Sequence, residues 1–88
     1  MASERGEIRL DEALLPSVER AVRELGGAIE ETGWVVVGSQ EITSAVVRLP
    51  GGELELHLET YDGLRLRGPR ALLDEVRAAL ARVVSGAE

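Results

Sequence analysis

The sequence predicts an α+β domain, a two-layer sandwich in which a four-stranded antiparallel meander carries two helices on one face in the order α-β-β-β-β-α. Three observations predict it. Between Ser44 and Gly68 leucines alternate with charged residues, the period of half-buried strands. On either side of that region apolar residues recur at helical spacing. Glycine pairs, prolines and an Asp-Gly step punctuate the elements where turns are needed.

At the N-terminus, Glu7–Leu10 is available as an extra edge strand, so residues 1–10 read either as that strand or as a flexible lead-in. Pro16 fits the first turn of a helix, which makes Asp11 to Leu15 a separate lead-in turn. From there Val18, Ala21, Val22 and Leu25, extending toward Ala28 and Ile29, form one stripe. Glu19 with Arg23 and Arg20 with Glu24 are spaced for pairing on the opposite side. Gly26-Gly27 ends the helix. Trp34–Val37 is an apolar run of β-branched residues beside glycines, hence a strand, joined through Gly38-Ser39-Gln40 to another that begins near Glu41. Gly68-Pro69 opens the second helix, Leu72, Leu73, Val76, Ala79, Leu80, Val83 and Val84 form its stripe, and Ser85-Gly86 stops it, leaving 85–88 as a tail. The 88 residues make one domain.

Turn chemistry sets the expected registers. A two-residue turn at Gly51-Gly52 places Leu49 opposite Leu54, Arg48 opposite Glu55 and Val47 opposite Leu56. A three-residue loop, Tyr61-Asp62-Gly63 with Gly63 left-handed, places Glu59 opposite Arg65 and Leu58 opposite Leu66. A two-residue Asp62-Gly63 loop would set Glu59 against Leu66 and mix the faces. One face then carries Ala45, Val47, Leu49, Leu54, Leu56, Leu58, Leu64 and Leu66, and the other Arg48, Glu55, His57, Glu59, Arg65 and Arg67.

Composition narrows the chemistry. All ten basic residues are arginine, the single histidine is His57, and Lys, Asn, Cys and Phe are absent, a bias typical of a GC-rich bacterial gene. Without cysteine or lysine there is no thiol nucleophile, thiolate metal site, Schiff-base lysine or phosphate-loop lysine. No apolar run reaches the roughly 18 residues of a membrane span and the N-terminus lacks a signal-peptide core, so the expectation is a cytoplasmic protein with no membrane partner. The net charge of −6, with only two aromatic residues, argues against a nucleic-acid partner, and the local group Arg65, Arg67 and Arg70 reads as part of a cross-strand charge ladder. Gly51-Gly52 and Gly26-Gly27 have no following helix of the phosphate-binding kind.

Glu55, His57 and Glu59 point the same way from one strand and offer nitrogen and oxygen ligands to a divalent metal, but Arg48, Arg65 and Arg67 compete for the same carboxylates. Their expected role is a solvated face, with no metal, no cofactor and no catalytic residue; a small-ligand or metal site, or a minor enzymatic activity, on this Glu55/His57/Glu59/Arg face is the alternative. The charged side is also partly apolar: Ile42, Ser44, Val46 and Arg48 share it, joined by either Trp34 and Val36 or Val35 and Val37. The expected interface is Trp34, Val36, Ile42, Val46 and Arg48, with Arg48, Glu55, Glu59 and Arg65 bridging two chains. A non-catalytic interaction or regulatory module acting as a small acidic homodimer, with a further protein partner, follows; the competing possibility is that Met1–Leu15 folds over the patch within one chain.

Overall fold

A lead-in strand β1 (Arg5–Leu10) runs through a short turn at Glu12–Leu14 into α1 (Leu15–Glu24), and then come β2 (Ala28–Val37), β3 (Gln40–Leu49), β4 (Gly52–Glu59), β5 (Gly63–Pro69) and α2 (Arg70–Ser85). This computed structural model describes residues 4–86, so the portions of the lead-in and tail at 1–3 and 87–88 lie outside the described residues. The five strands form one antiparallel sheet in the order β1-β5-β4-β3-β2. The edge strand expected at Glu7–Leu10 is therefore present, two residues longer, and it pairs with β5 across the sheet from the meander's start.

The two faces are as the alternation predicts. Every sheet residue in the buried core, from Ile8 through Ala45, Val47, Leu49, Leu54 and Leu56 to Leu64 and Leu66, belongs to a single register face, hereafter the leucine face. Val18, Ala21 and Val22 of α1 and Leu72, Leu73, Val76, Ala79, Leu80 and Val83 of α2 complete that core. Burying a leucine of this kind contributes about 1.5–3 kcal/mol, so the inward leucines and the two apolar stripes supply the main driving force for folding. Val84 is exposed, one position past the end of the stripe, and the pairs Glu19–Arg23 and Arg20–Glu24 are absent from the ion pairs of the described residues.

The lead-in turn and the start of α1 follow local chemistry. Asp11 Oδ1 accepts the Ala13 backbone N–H at 2.8 Å to cap the lead-in turn, and Pro16 occupies the first turn of α1. At the other end of α1, the Gly27 N–H donates to the Val22 carbonyl at 2.9 Å and the Gly26 N–H to Arg23 at 3.0 Å, with Gly26 at φ 82°. This paired closure needs a left-handed residue, which glycine supplies without a Cβ clash. The chain reverses there, so Ala28 and Ile29, expected to continue the helical stripe, instead open β2 six residues before Trp34.

Two registers differ from expectation, each by two residues. Leu49 pairs with Gly52, Arg48 with Glu53, Val47 with Leu54 and Val46 with Glu55, so the turn is Pro50-Gly51. Proline fixes φ for the first central position and has no N–H to lose there. Likewise Glu59 pairs with Gly63, Leu58 with Leu64 and His57 with Arg65, around the loop Thr60-Tyr61-Asp62. The loop keeps three residues and Gly63 is left-handed at φ 78°, but it opens one residue earlier because Thr60 is already engaged: its N–H donates to the Glu41 carbonyl at 3.0 Å, and its Oγ1 accepts from the Glu41 N–H at 2.7 Å.

Candidate functional site

The face opposite the leucines is built in rows across the strands. One row reads Ser44, His57, Arg65, Arg9 and the next Val46, Glu55, Arg67, Glu7, with Glu30 beside Val46. Arg48 and Glu53 form a third row, and Val35, Ile42, Glu59 and Gly63 a fourth.

Opposite charges on neighbouring strands neutralise one another within the chain. Arg48 donates from Nε to Glu30 at 2.9 Å and from Nη1 to Glu53 at 2.7 Å, and this clamp, the Glu30 hydrogen bond foremost, raises the Arg48 pKa above its ordinary value. On β1 the Arg9 Nε donates to Glu7 at 2.9 Å; that bond holds the Glu7 carboxyl below its usual range and raises Arg9 correspondingly. Arg67 approaches the same carboxylate at 3.7 Å, and Arg70, at the start of α2, donates to Glu4 at 3.1 Å. Arg65, Arg67 and Arg70 thus each face a glutamate, and they make no free basic patch.

The three residues with metal-ligand chemistry are not convergent. Glu59 is 9% exposed, engaged by the Arg65 guanidinium and by Gln40 Nε2, which donates at 3.3 Å. His57 lies between Ser44 and Arg65, with its Nδ1 enclosed and without a hydrogen-bond partner, as is the Nε of Arg65. Glu55 is exposed between Val46 and Arg67. Among the described residues no group of three or more His, Cys, Asp or Glu is placed to hold a metal ion. A depression of about 90 Å³ is lined by Glu12, Glu41, Thr43, Leu58, Glu59 and Thr60; wider depressions of about 400 Å³, beside Glu4, Arg70 and Asp74, and about 320 Å³, beside Glu19, Arg23 and Ile29, are lined by neither His57 nor Glu59.

What the molecule exposes instead is the end of β2. Trp34, Val35, Val36 and Val37 are 59, 51, 52 and 60% exposed, on a strand whose outer edge pairs with no other strand among the described residues. The register pairs Trp34 with Thr43 and Val36 with Glu41, on the leucine side, while Val35 and Val37 pair with Ile42 and Gln40 on the charged side. Of the five residues expected to form one interface, Ile42, Val46 and Arg48 therefore share a face from which Trp34 and Val36 are excluded, and Val35 and Val37 take their place. The cause is a bulge between Glu31 and Gly33. Unbroken alternation from Ile29 would turn Trp34 and Val36 outward; the extra residue, Thr32, reverses them. Ile42 and Val46 are only half-buried, and Arg48 is held by its own chain.

The described part of the N-terminal segment, residues 4–15, does not cover this surface. β1 occupies the opposite edge, where Ile8 enters the core and Leu10 packs against it. Strand order is set by long-range pairing that local alternation does not encode, so the edge position of β2 was hidden in the sequence. Its one visible signal is the lack of any charge from Thr32 to Gln40. No helix among the described residues is long and apolar enough to cross a membrane. Comparison of the chain with protein-family models, with curated proteins and with solved structures finds no match.

Proposed function

We propose that the protein is a non-catalytic interaction module that works as a small acidic homodimer. The reading takes the two helices as one layer over the leucine face and the sheet as the other, leaving the far end of the β2–β3 hairpin for contact. The observation that carries it is the run of four consecutive apolar side chains, Trp34–Val37, each more than half exposed. Contiguous apolar surface of this kind is costly to leave in water, and a two-fold contact between identical copies is the commonest way a small protein covers it. Intramolecular pairing of Arg48, Arg65 and Arg67 removes those side chains as bridges between copies, so the apolar run is the principal source of attraction. Multi-angle light scattering at tens of micromolar tests this: a dimer mass is expected, and a monomer overturns it.

A second reading, a small ligand on the His57 and Arg65 side of the sheet, is favoured by the two enclosed nitrogens that lack partners. It predicts that a divalent metal or a small anion raises the melting temperature and that His57→Leu abolishes the rise; titration of the purified protein separates it from the first.

A further inference from the structure

We infer that the partner at this surface is a second copy of the chain joined edge to edge, β2 against β2 in antiparallel pairing centred on Val35, so that two five-stranded sheets become one. The inference rests on the homodimer reading and specifies its geometry.

The two edges of the sheet differ in a way that points to pairing at only one. Free edges invite strand addition, and charged side chains along an edge discourage it. β1 carries Arg5, Glu7 and Arg9 at alternate positions. The first half of β2 carries Glu30 and Glu31, but Gly33–Val37, between the bulge and the Gly38-Ser39 turn, has no charge at all. One stretch of one edge is therefore open to a partner strand.

The exposed side chains also alternate between the two faces, and this discriminates between modes of contact. A partner lying on the charged face would cover Val35 and Val37 and leave Trp34 and Val36 in water; one on the leucine face would do the reverse. A strand added at the edge approaches both pairs and satisfies the edge's backbone groups.

Self-pairing fits this segment. With Val35 on the two-fold axis, Trp34 faces the partner's Val36 on the leucine side and Gly33 faces the partner's Val37 on the charged side, so each apolar residue keeps to its own face. Glu30 and Glu31 fall past the bulge, outside the paired stretch, whereas moving the register by two toward the N-terminus would set Glu31 against the partner's Val37. Each copy carries a net charge of −6, and contact through an uncharged segment adds no local like-charge pair to the overall repulsion. On typical side-chain areas the four exposed residues offer roughly 400 Å² per copy, so a dimer removes at most on the order of 800 Å² before flanking backbone is counted, below the roughly 1,200–2,000 Å² of standard interfaces, and a weak, reversible association in the micromolar range is expected. Because the contact is isologous and the β1 edge is charged, growth stops at two.

The chain has no cysteine, so a single introduced thiol is unique and reports geometry directly. Val35→Cys treated with a short bis-maleimide should give a covalent dimer in high yield, while Val46→Cys in mid-sheet and Glu7→Cys on β1 should not. Val35→Lys, at an exposed position, should give a monomer by light scattering with an unchanged circular dichroism spectrum. A light-scattering dimer that crosslinks through Val46→Cys instead, or that survives Val35→Lys, overturns the edge pairing and leaves the homodimer standing. A monomeric wild type overturns both.

Discussion

Glu59 is the charged side chain with the least access to solvent, and its surroundings decide what it is worth. Its carboxylate is engaged by Arg65 and by Gln40 on either side. Breaking a buried pair leaves an uncompensated charge, whereas replacing both partners with apolar groups is often close to neutral. Arg65→Leu should therefore destabilise by about 2–3 kcal/mol in urea unfolding, and Glu59→Leu in the same chain should recover most of the loss. His57 behaves differently. Its Nδ1 is enclosed and unpaired, so His57→Leu trades an unsatisfied group for an apolar one, and a melting temperature equal to or above that of the wild type is expected. Gly63 sits at φ 78°, and a Cβ there would meet the Leu10 carbonyl oxygen at 3.0 Å. Gly63→Val should cost about 1–2 kcal/mol from the left-handed backbone alone, read as a lower urea midpoint with an unchanged slope.

Among the elements, the edge strand β1 holds its own local charge chemistry. Because the Arg9 hydrogen bond depresses the Glu7 carboxyl, the stability this contact contributes is present above the unfolded pKa of Glu7 and is lost as pH falls through the folded one. Arg9→Ala should move the Glu7 carboxyl titration upward by NMR, and an unmoved titration would assign the depression to Arg65 and Arg67 instead. The hairpins show what alternation encodes and what it leaves open. Leu54, Leu56, Leu64 and Leu66 declare their face, because any register that turned them outward would expose the core. Registers two residues apart keep the same faces, so Arg48 opposite Glu53 and Arg48 opposite Glu55 satisfy the pattern equally; Pro50 decides through its fixed φ and Thr60 through its bonds to the Glu41 backbone. In β2 one unpaired threonine sets the parity of Trp34, and so two of the five residues of the expected interface, Trp34 and Val36, lie on the other face. The chemistry of the charged face was legible as competition between arginines and carboxylates, and the structure resolves much of that competition within the chain.

For the molecule as a whole, the sign of the salt effect separates two kinds of assembly. Arginine–glutamate bridges between copies would weaken as salt screens them, whereas an apolar contact between two copies of net charge −6 tightens as salt screens their repulsion. Sedimentation at low and at high sodium chloride should show stronger association at high salt. The far edge of the sheet has a bearing on how the chain folds. β1 precedes the other four strands in the chain, yet its pairing partner is β5, the last of them, and the N–H of Arg70, just beyond β5, donates to the Glu4 carbonyl at 2.8 Å. The three hairpins from β2 to β5 close over short loops, while β1 finds its neighbour only in the last strand of the sheet. Until that closure Ile8 has no partner strand, and the alternating charges Arg5, Glu7 and Arg9 disfavour pairing of β1 with a wrong edge. Weakening the β1–β5 pairing thus acts on the longest-range closure of the sheet, and the refolding rate is where its effect will be felt.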